Sequence, residues 1–135
     1  MIHSPGQTKP KPTTTRKKPS HPTGLDVEKK IQKAREEISK DGKKDALDLT
    51  NSDLTLLPVS IQTLTHLTKL YVYKNRLVSL PSEIGFLENL EFLALNENAL
   101  TSLPDSLANL RQLIYLDLRH NKLNDVSDFS TSSFF

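Results

Sequence analysis

Aliphatic residues recur along the second half of this chain with a period of 23 residues. In three consecutive units, positions 1, 4, 6 and 11 are aliphatic and position 9 is asparagine. These aliphatic residues are Leu67, Leu70, Val72 and Leu77; Leu90, Leu93, Leu95 and Leu100; and Leu113, Leu116, Leu118 and Leu123. An earlier, degenerate unit contributes Leu47, Leu49, Leu54, Ile61 and Leu64. A strict period of this length predicts one structural unit per repeat, stacked into a solenoid.

The pattern inside a unit predicts its local structure. The alternation around positions 4 to 6 is typical of a short parallel strand, expected near 47–49, 70–72, 93–95 and 116–118. A Leu-Pro pair, as at Leu80-Pro81, ends the next turn, and the following aliphatic residues favour a short helix or 3₁₀ turn on the convex side. At position 9 the chain turns out of the strand, and a side chain there must both donate hydrogen bonds to backbone groups and accept them, as asparagine can. The first unit has Ser52 at this position, so we expect a ladder of asparagines that begins at Asn75.

Residues 23–43 are predicted to form a capping helix before the repeats. Val27, Ile31, Ala34 and Ile38 share one face of a helix spanning about 25–40. Thr23 with Asp26 resembles a capping box, and Gly42 is a candidate C-cap. We expect the helix to cover the exposed edge of the first repeat; a partner-binding helix is the alternative.

The two ends of the chain do not follow the repeat. Residues 1–22 hold five prolines and no apolar periodicity, which predicts a disordered arm. Its cluster Arg16–Lys18 is either a solvated basic tail, a nuclear import signal, or a contact for an acidic partner or lipid. The pattern fails after the repeats of 44–125, and 126–135 read as an irregular tail. Such an ending resembles an interrupted chain, so self-association through an open C-terminal end is expected, with Leu113, Leu116, Leu118 and Leu123 facing it.

Charge and cysteine content narrow the setting. Residues 1–44 hold 12 basic and 5 acidic side chains, a net of +7, whereas residues 45–135 hold 6 and 11, a net of −5. No cysteine is present, which favours a reducing compartment. No apolar run is long enough for a membrane span or signal peptide. A cytoplasmic location is therefore expected, with a nuclear one if the basic cluster acts as an import signal.

The sequence offers no candidate for chemistry. It lacks a cysteine nucleophile, a glycine-rich phosphate loop and a pair of histidines or carboxylates at ligand spacing. His66 and His120 occupy different positions of the repeat and are expected on different surfaces. We therefore expect no enzyme activity, no cofactor, no metal and no nucleic-acid partner.

The specific information lies on the concave face, where positions 3, 5, 7 and 8 of each unit point away from the core. Aromatic side chains and arginine, the types enriched in binding hot spots, concentrate there. The predicted protein-binding residues are Lys69, Tyr71, Tyr73, Lys74, Phe92, Asn96, Glu97, Tyr115, Asp117, Arg119 and His120. The alternative is a concave face that is merely exposed to solvent.

These repeats resemble intracellular leucine-rich repeats, and in particular the Shoc family of Ras–Raf scaffolds. The resemblance rests on the arm segment Thr15–Lys18, KAREE at Lys33–Glu37, LTKLYVYKNRLVSLP at Leu67–Pro81, LALNENALTSLPDSLANL at Leu93–Leu110 and LDLRHNKL at Leu116–Leu123. It implies an α/β solenoid of about 3.5 repeats and a non-enzymatic adaptor. Its implied partners are a Ras-type GTPase and the type-one protein phosphatase catalytic subunit, which act together on Raf kinases. The alternatives are another intracellular repeat adaptor, in innate immunity or ubiquitin ligation, and a non-functional truncated isoform.

Overall fold

The computed structural model describes residues 24–41 and 44–124, with helix side chains described over 26–37. One helix, α1 (Gly24–Asp41), precedes four strands: β1 (Ala46–Asp48), β2 (Lys69–Tyr71), β3 (Phe92–Ala94) and β4 (Tyr115–Asp117). A 3₁₀ turn follows each of the first three strands, at Val59–Thr63, Ser82–Phe86 and Asp105–Asn109. The predicted arm 1–22, the caps Thr23 and Gly42, the Ile38 side chain and the tail 126–135 lie outside the described residues.

The strands form one parallel sheet in the order β1-β2-β3-β4. Each residue pairs with the residue 23 positions later, as Leu47 does with Leu70 and Leu70 with Leu93. The four strands lie near the predicted spans, which confirms them, and each begins one residue earlier than the span. Position 4 is the centre of each strand rather than its first residue, since the bridge pairs cover positions 3 to 5.

The core lies between this sheet and the 3₁₀ turns. Leu70, Leu93, Ile84 and Leu87 are fully buried, and they belong to one continuous apolar cluster that runs through all repeats. Burying one such side chain contributes about 1.5–3 kcal/mol. Because a unit of 23 residues has only a few of them, each repeat depends on its neighbours for stability. The predicted short turns on the convex side are confirmed.

The asparagine ladder begins at Asn75, as predicted. Its side-chain amide donates to the carbonyl groups of Leu49 and Val72 at 2.9 and 2.8 Å, and its oxygen accepts from the amides of Ser52 and Leu54 at 2.9 and 3.0 Å. The same arrangement repeats at Asn98 and Asn121. Each asparagine therefore joins its own turn to the turn of the preceding repeat.

The helix α1 closes the N-terminal end of the core. Val27 and Ile31 are buried, and Ala34 packs against the cluster, which confirms these members of the predicted stripe. The helix packs mainly on the first 3₁₀ turn, where the Ser60 hydroxyl donates to the Glu28 carboxylate at 2.7 Å. It thus covers the apolar end of the first repeat on the convex side. The described helix is not a membrane span, since it lacks the required apolar character.

The leucines at the C-terminal end differ from expectation. Leu116 and Leu118 are buried, and only Leu113 and Leu123 are partly exposed. Leu116 and Leu118 share one apolar cluster with Leu107 and Leu110 of the convex layer. The apolar face predicted to drive self-association is therefore smaller than expected, and self-association itself stays a prediction.

Candidate protein-binding surface

The sheet register brings the concave residues into columns. Lys69, Phe92 and Tyr115 are successive Cα partners across β2, β3 and β4, and so are Tyr71, Ala94 and Asp117. The Phe92 and Tyr115 rings lie with their centroids 6.0 Å apart and tilted by 35°. Aromatic pairs at this separation stabilise each other beyond the area that they bury. The column thus presents two neighbouring aromatic rings beside Lys69.

The predicted site residues differ in how far they reach solvent. Lys74, Glu97, Tyr115, Arg119 and His120 are exposed; Lys69, Tyr71, Tyr73, Phe92 and Asn96 are half-buried; and Asp117 is buried. All but Asp117 are accessible, so one continuous surface across three repeats contains ten of the predicted residues. Its role in binding stays a prediction.

Asp117 corrects the sequence analysis, because its side chain is only 5 % exposed. The guanidinium of Arg119 donates to both carboxylate oxygens, from Nε at 3.0 Å and from Nη2 at 2.7 Å. The Arg119 backbone amide and the Tyr115 hydroxyl add two further bonds, each at 3.1 Å. Tyr115, Asp117 and Arg119 occupy every second position, so their side chains point to the same face. Tyr115 and Arg119 therefore cover the Asp117 carboxylate, which the alternating pattern alone predicts to be exposed.

This network shifts the protonation of its members. Hydrogen bonds from the Arg119 side chain hold the pKa of Asp117 below its ordinary value. The hydrogen bond to Asp117 raises the pKa of Tyr115, and the same carboxylate raises the pKa of Arg119. Charge-assisted, bidentate pairs of this kind fix the geometry of the arginine. The exposed part of Arg119, 64 % of its side chain, is therefore presented in a defined orientation.

Position 8 of every unit has an unusual backbone. Asn51, Lys74, Glu97 and His120 have φ of 51°, 55°, 55° and 59°, which lies in the left-handed region. Residues with a Cβ adopt this region at a cost, and asparagine tolerates it better than most. The chain needs this conformation to leave the strand and enter the asparagine turn. The fold therefore restricts the backbone of these four residues, although their side chains are exposed to solvent.

The sequence analysis missed two arrangements near this surface. Asp48, at position 5 of the first unit, accepts a hydrogen bond from the Thr50 amide at 2.9 Å, just as Asp117 accepts one from Arg119. The shared position of the two aspartates in the repeat was the available signal. A second arrangement, a cleft between α1 and β1, was hidden because it depends on where the helix docks. Within residues 24–41 and 44–124, no three potential metal-ligating side chains come together.

Four parallel strands, a ladder of asparagines and a convex layer of 3₁₀ turns define a leucine-rich repeat solenoid. A family model described as leucine rich repeat matches residues 65–123. A solved leucine-rich repeat protein of Leptospira interrogans is similar at a TM-score of 0.57 and 45 % identity, over 57 % of this chain and 20 % of that one. The fold predicted from the sequence is confirmed.

The named relatives confirm the expected resemblance to the Shoc group, whose members are called soc-2. The leucine-rich repeat protein soc-2 homolog of Drosophila pseudoobscura pseudoobscura is 49 % identical over 76 residues, which are 56 % of this chain and 11 % of the relative. The homolog of Nematostella vectensis is 50 % identical over 70 residues, or 51 % of this chain and 11 % of the relative. The chain thus matches about a tenth of the length of these curated relatives.

Proposed function

We propose that this chain is a non-enzymatic scaffold that binds protein partners through its concave face. The carrying observation is the aromatic column beside an arginine that Asp117 holds in place. Tyrosine and arginine are the side chains most enriched in hot spots, and preorganised ones lose less entropy on binding. The similarity to soc-2 proteins supports the scaffold class.

The proposed partners are a Ras-type GTPase in its GTP-bound form and the catalytic subunit of type-one protein phosphatase, with Raf kinase reached indirectly. This assignment comes from the resemblance to the Ras–Raf scaffolds. The sites proposed to contact them are Tyr71, Tyr73, Lys69 and the exposed face of Arg119. A cytoplasmic location, extended to the nucleus by the basic cluster Arg16–Lys18, belongs to the same proposal.

The proposal is tested with the full chain, the phosphatase subunit and the GTPase loaded with a GTP analogue. Tyr71→Ala and Tyr73→Ala are each expected to weaken assembly about ten-fold, which corresponds to about 1.4 kcal/mol. Binding is measured by interferometry on the immobilised chain. Arg119→Ala is a poor choice, because it would leave the buried Asp117 carboxylate without its main partner.

Phe86→Ala is the matched control. Phe86 is a large exposed aromatic residue, 58 % accessible, at the end of the convex turn Ser82–Phe86. Its removal is expected to leave binding within about two-fold, as is removal of the exposed Glu88 on the same side. Equal losses from Tyr71→Ala and Phe86→Ala would exclude the concave site. Failure of both partners to bind the unchanged chain would exclude these partners.

A further inference from the structure

The outer edge of the sheet at β1 is not covered by the capping helix. In a parallel strand the backbone groups of successive residues point to opposite sides. The Leu49 backbone amide donates to the Tyr71 carbonyl at 2.8 Å, and the backbone groups of Leu47 likewise point towards β2. Ala46 and Asp48 therefore direct their amide and carbonyl groups away from β2. Among the described residues only β2 pairs with β1.

Thr50, the next residue whose backbone faces outward, already has hydrogen-bond partners for its amide and its carbonyl. The Thr50 amide donates to Asp48 Oδ1 at 2.9 Å, and the Thr50 carbonyl accepts from the Ser52 hydroxyl at 3.3 Å. The chain therefore closes its own edge after Asp48 with local side chains. Among the described residues, the edge without a strand partner therefore ends on its C-terminal side at Asp48, and Ala46 and Asp48 are both exposed.

A cleft of about 210 Å³ separates this edge from α1. It is lined by Ala46, Leu47 and Asp48 of β1, by Lys44 just before that strand, and by Lys30, Lys33, Ala34 and Glu37 of α1. Glu37 is engaged by Lys44 at 2.6 Å and by Lys33 at 3.8 Å. Lys30 has no ion pair among the described residues. Among the described residues, the cleft therefore has backbone groups of Ala46 and Asp48 without a strand partner, and three ammonium groups against the two carboxylates of Glu37 and Asp48.

We propose that this cleft binds an extended, acidic peptide segment, which pairs with Ala46 and Asp48 as an added strand. Strand addition uses main-chain hydrogen bonds for affinity and alternate side chains for specificity. Lysines beside an edge strand discourage indiscriminate pairing with other strands. The same lysines attract carboxylates on alternate residues of an incoming segment, so they select an acidic one. The cleft lies at the outer edge of the same sheet, where Ala46 and Asp48 are the register partners of Lys69 and Tyr71, and peptide binding there does not depend on the function proposed above.

The test uses the full chain and an eight-residue peptide of alternating Glu and Val with blocked ends. We expect saturable binding that slows hydrogen exchange at the Ala46 and Asp48 amides at least ten-fold and leaves Leu47 unchanged, since its amide already faces β2. The corresponding Gln–Val peptide should bind at least ten-fold more weakly. A Glu–Val peptide with alternate backbone amides methylated should give no protection.

Two adjacent lysines supply matched variants. Lys30 lines the cleft, whereas the exposed Lys29 does not. Lys30→Glu should weaken the Glu–Val peptide at least five-fold, and Lys29→Glu less than two-fold. Equal effects of the two variants, or undiminished binding of the methylated peptide, would reduce the interaction to nonspecific attraction and overturn the proposal. Protection of Ala46 and Asp48 in the peptide-free chain at rising concentration would assign the edge to a second copy and overturn it as well.

Discussion

Asn75 makes five side-chain hydrogen bonds, all to backbone groups of two adjacent repeats. Asn98 makes four in the same arrangement. A turn that leaves a buried strand exposes amides and carbonyls that water cannot reach, and an amide side chain satisfies both kinds. One residue type at one position therefore links neighbouring units, which is why its 23-residue spacing is a strong sequence signal.

Asn98→Ala tests this role. It is expected to lower the free energy of unfolding by about 1–3 kcal/mol, because the freed carbonyls and the Leu77 amide lose their partner. Urea denaturation measures the change. Asn89→Ala is the control, because exposed Asn89 makes one bond, to the Thr65 carbonyl, and should cost less than about 0.5 kcal/mol. A loss below about 0.3 kcal/mol for Asn98→Ala would contradict the ladder.

At position 8 of the repeat, a substitution is expected to stabilise the chain rather than destabilise it. Glu97 is exposed and has φ of 55°, a conformation that glycine adopts without the clash of a Cβ. Glu97→Gly should therefore raise the free energy of unfolding by about 0.5–1 kcal/mol, after allowance for glycine's larger loss of chain entropy. Asn96→Gly, one residue earlier and without positive φ, should lower it. Destabilisation by both variants would show that Glu97 makes a contact that offsets its strain.

At the scale of elements, the convex turns pack more closely than the sequence suggests. The turns Ser82–Phe86 and Asp105–Asn109 meet at Gly85, which is buried. A Cβ on Gly85 would lie 2.8 Å from the Ser106 Cβ and from its carbonyl oxygen. These atoms belong to the backbone or its first side-chain carbon, so neither can move without shifting the turn. Glycine is required here for space.

Gly85→Ala is accordingly expected to destabilise the chain by about 1–3 kcal/mol, the usual cost of adding volume to a packed site. Thermal unfolding followed by circular dichroism measures it. Gln62→Ala is the matched control: Gln62 occupies the same repeat position one unit earlier and already has a Cβ. That variant should change stability by less than about 0.5 kcal/mol. A neutral Gly85→Ala would mean that the two turns separate easily.

The sequence predicted the elements well because the repeat constrains them together. Several independent signals predict the same stacked unit: the aliphatic positions, Asn75 and the Leu-Pro pairs. A misleading residue at one position is therefore outweighed by the others. Asp117 could not be placed in this way, because its burial depends on the side chains of Tyr115 and Arg119 rather than on the period. The cleft beside β1 likewise depends on how α1 docks. The apolar stripe of α1 predicts which face of the helix is buried, but not the space that remains between the helix and the edge of β1.

At the scale of the whole molecule, the charge pattern separates two surfaces. The helix contributes lysines around the outer edge of β1, whereas acidic side chains predominate in the repeats. Because the opposite end carries the Tyr115–Asp117–Arg119 network, the concave face and the N-terminal cleft have different chemistry. The two surfaces adjoin, because Asp48 is the register partner of Tyr71. Lys30 lies on α1, outside the sheet, so its substitution alters the cleft without changing a concave side chain.

A histidine and two aspartates make the stability of the whole chain depend on pH in two separate ranges. Burial lowers the pKa of His66 from its ordinary value of 6.5, against the opposing effect of Asp45. Its Nε2 atom is buried without a hydrogen-bond partner among the described residues. The unfolded chain therefore takes up this proton more readily than the folded one, and stability is lost as pH falls below 6.5.

A second loss is expected at lower pH. The pKa of Asp45 is held below 3.8 chiefly by the Thr68 hydroxyl, and that of Asp117 chiefly by Arg119. A lowered carboxyl pKa stabilises the folded state above its ordinary pKa, and this stabilisation disappears as pH falls through the folded value. Denaturation midpoints between pH 8 and pH 3 should thus fall in two stages. His66→Gln should remove the first stage and keep the second, whereas Asp45→Asn should keep the first and reduce the second. A profile of His66→Gln that still falls between pH 6.5 and pH 5 would show that another group carries the first stage.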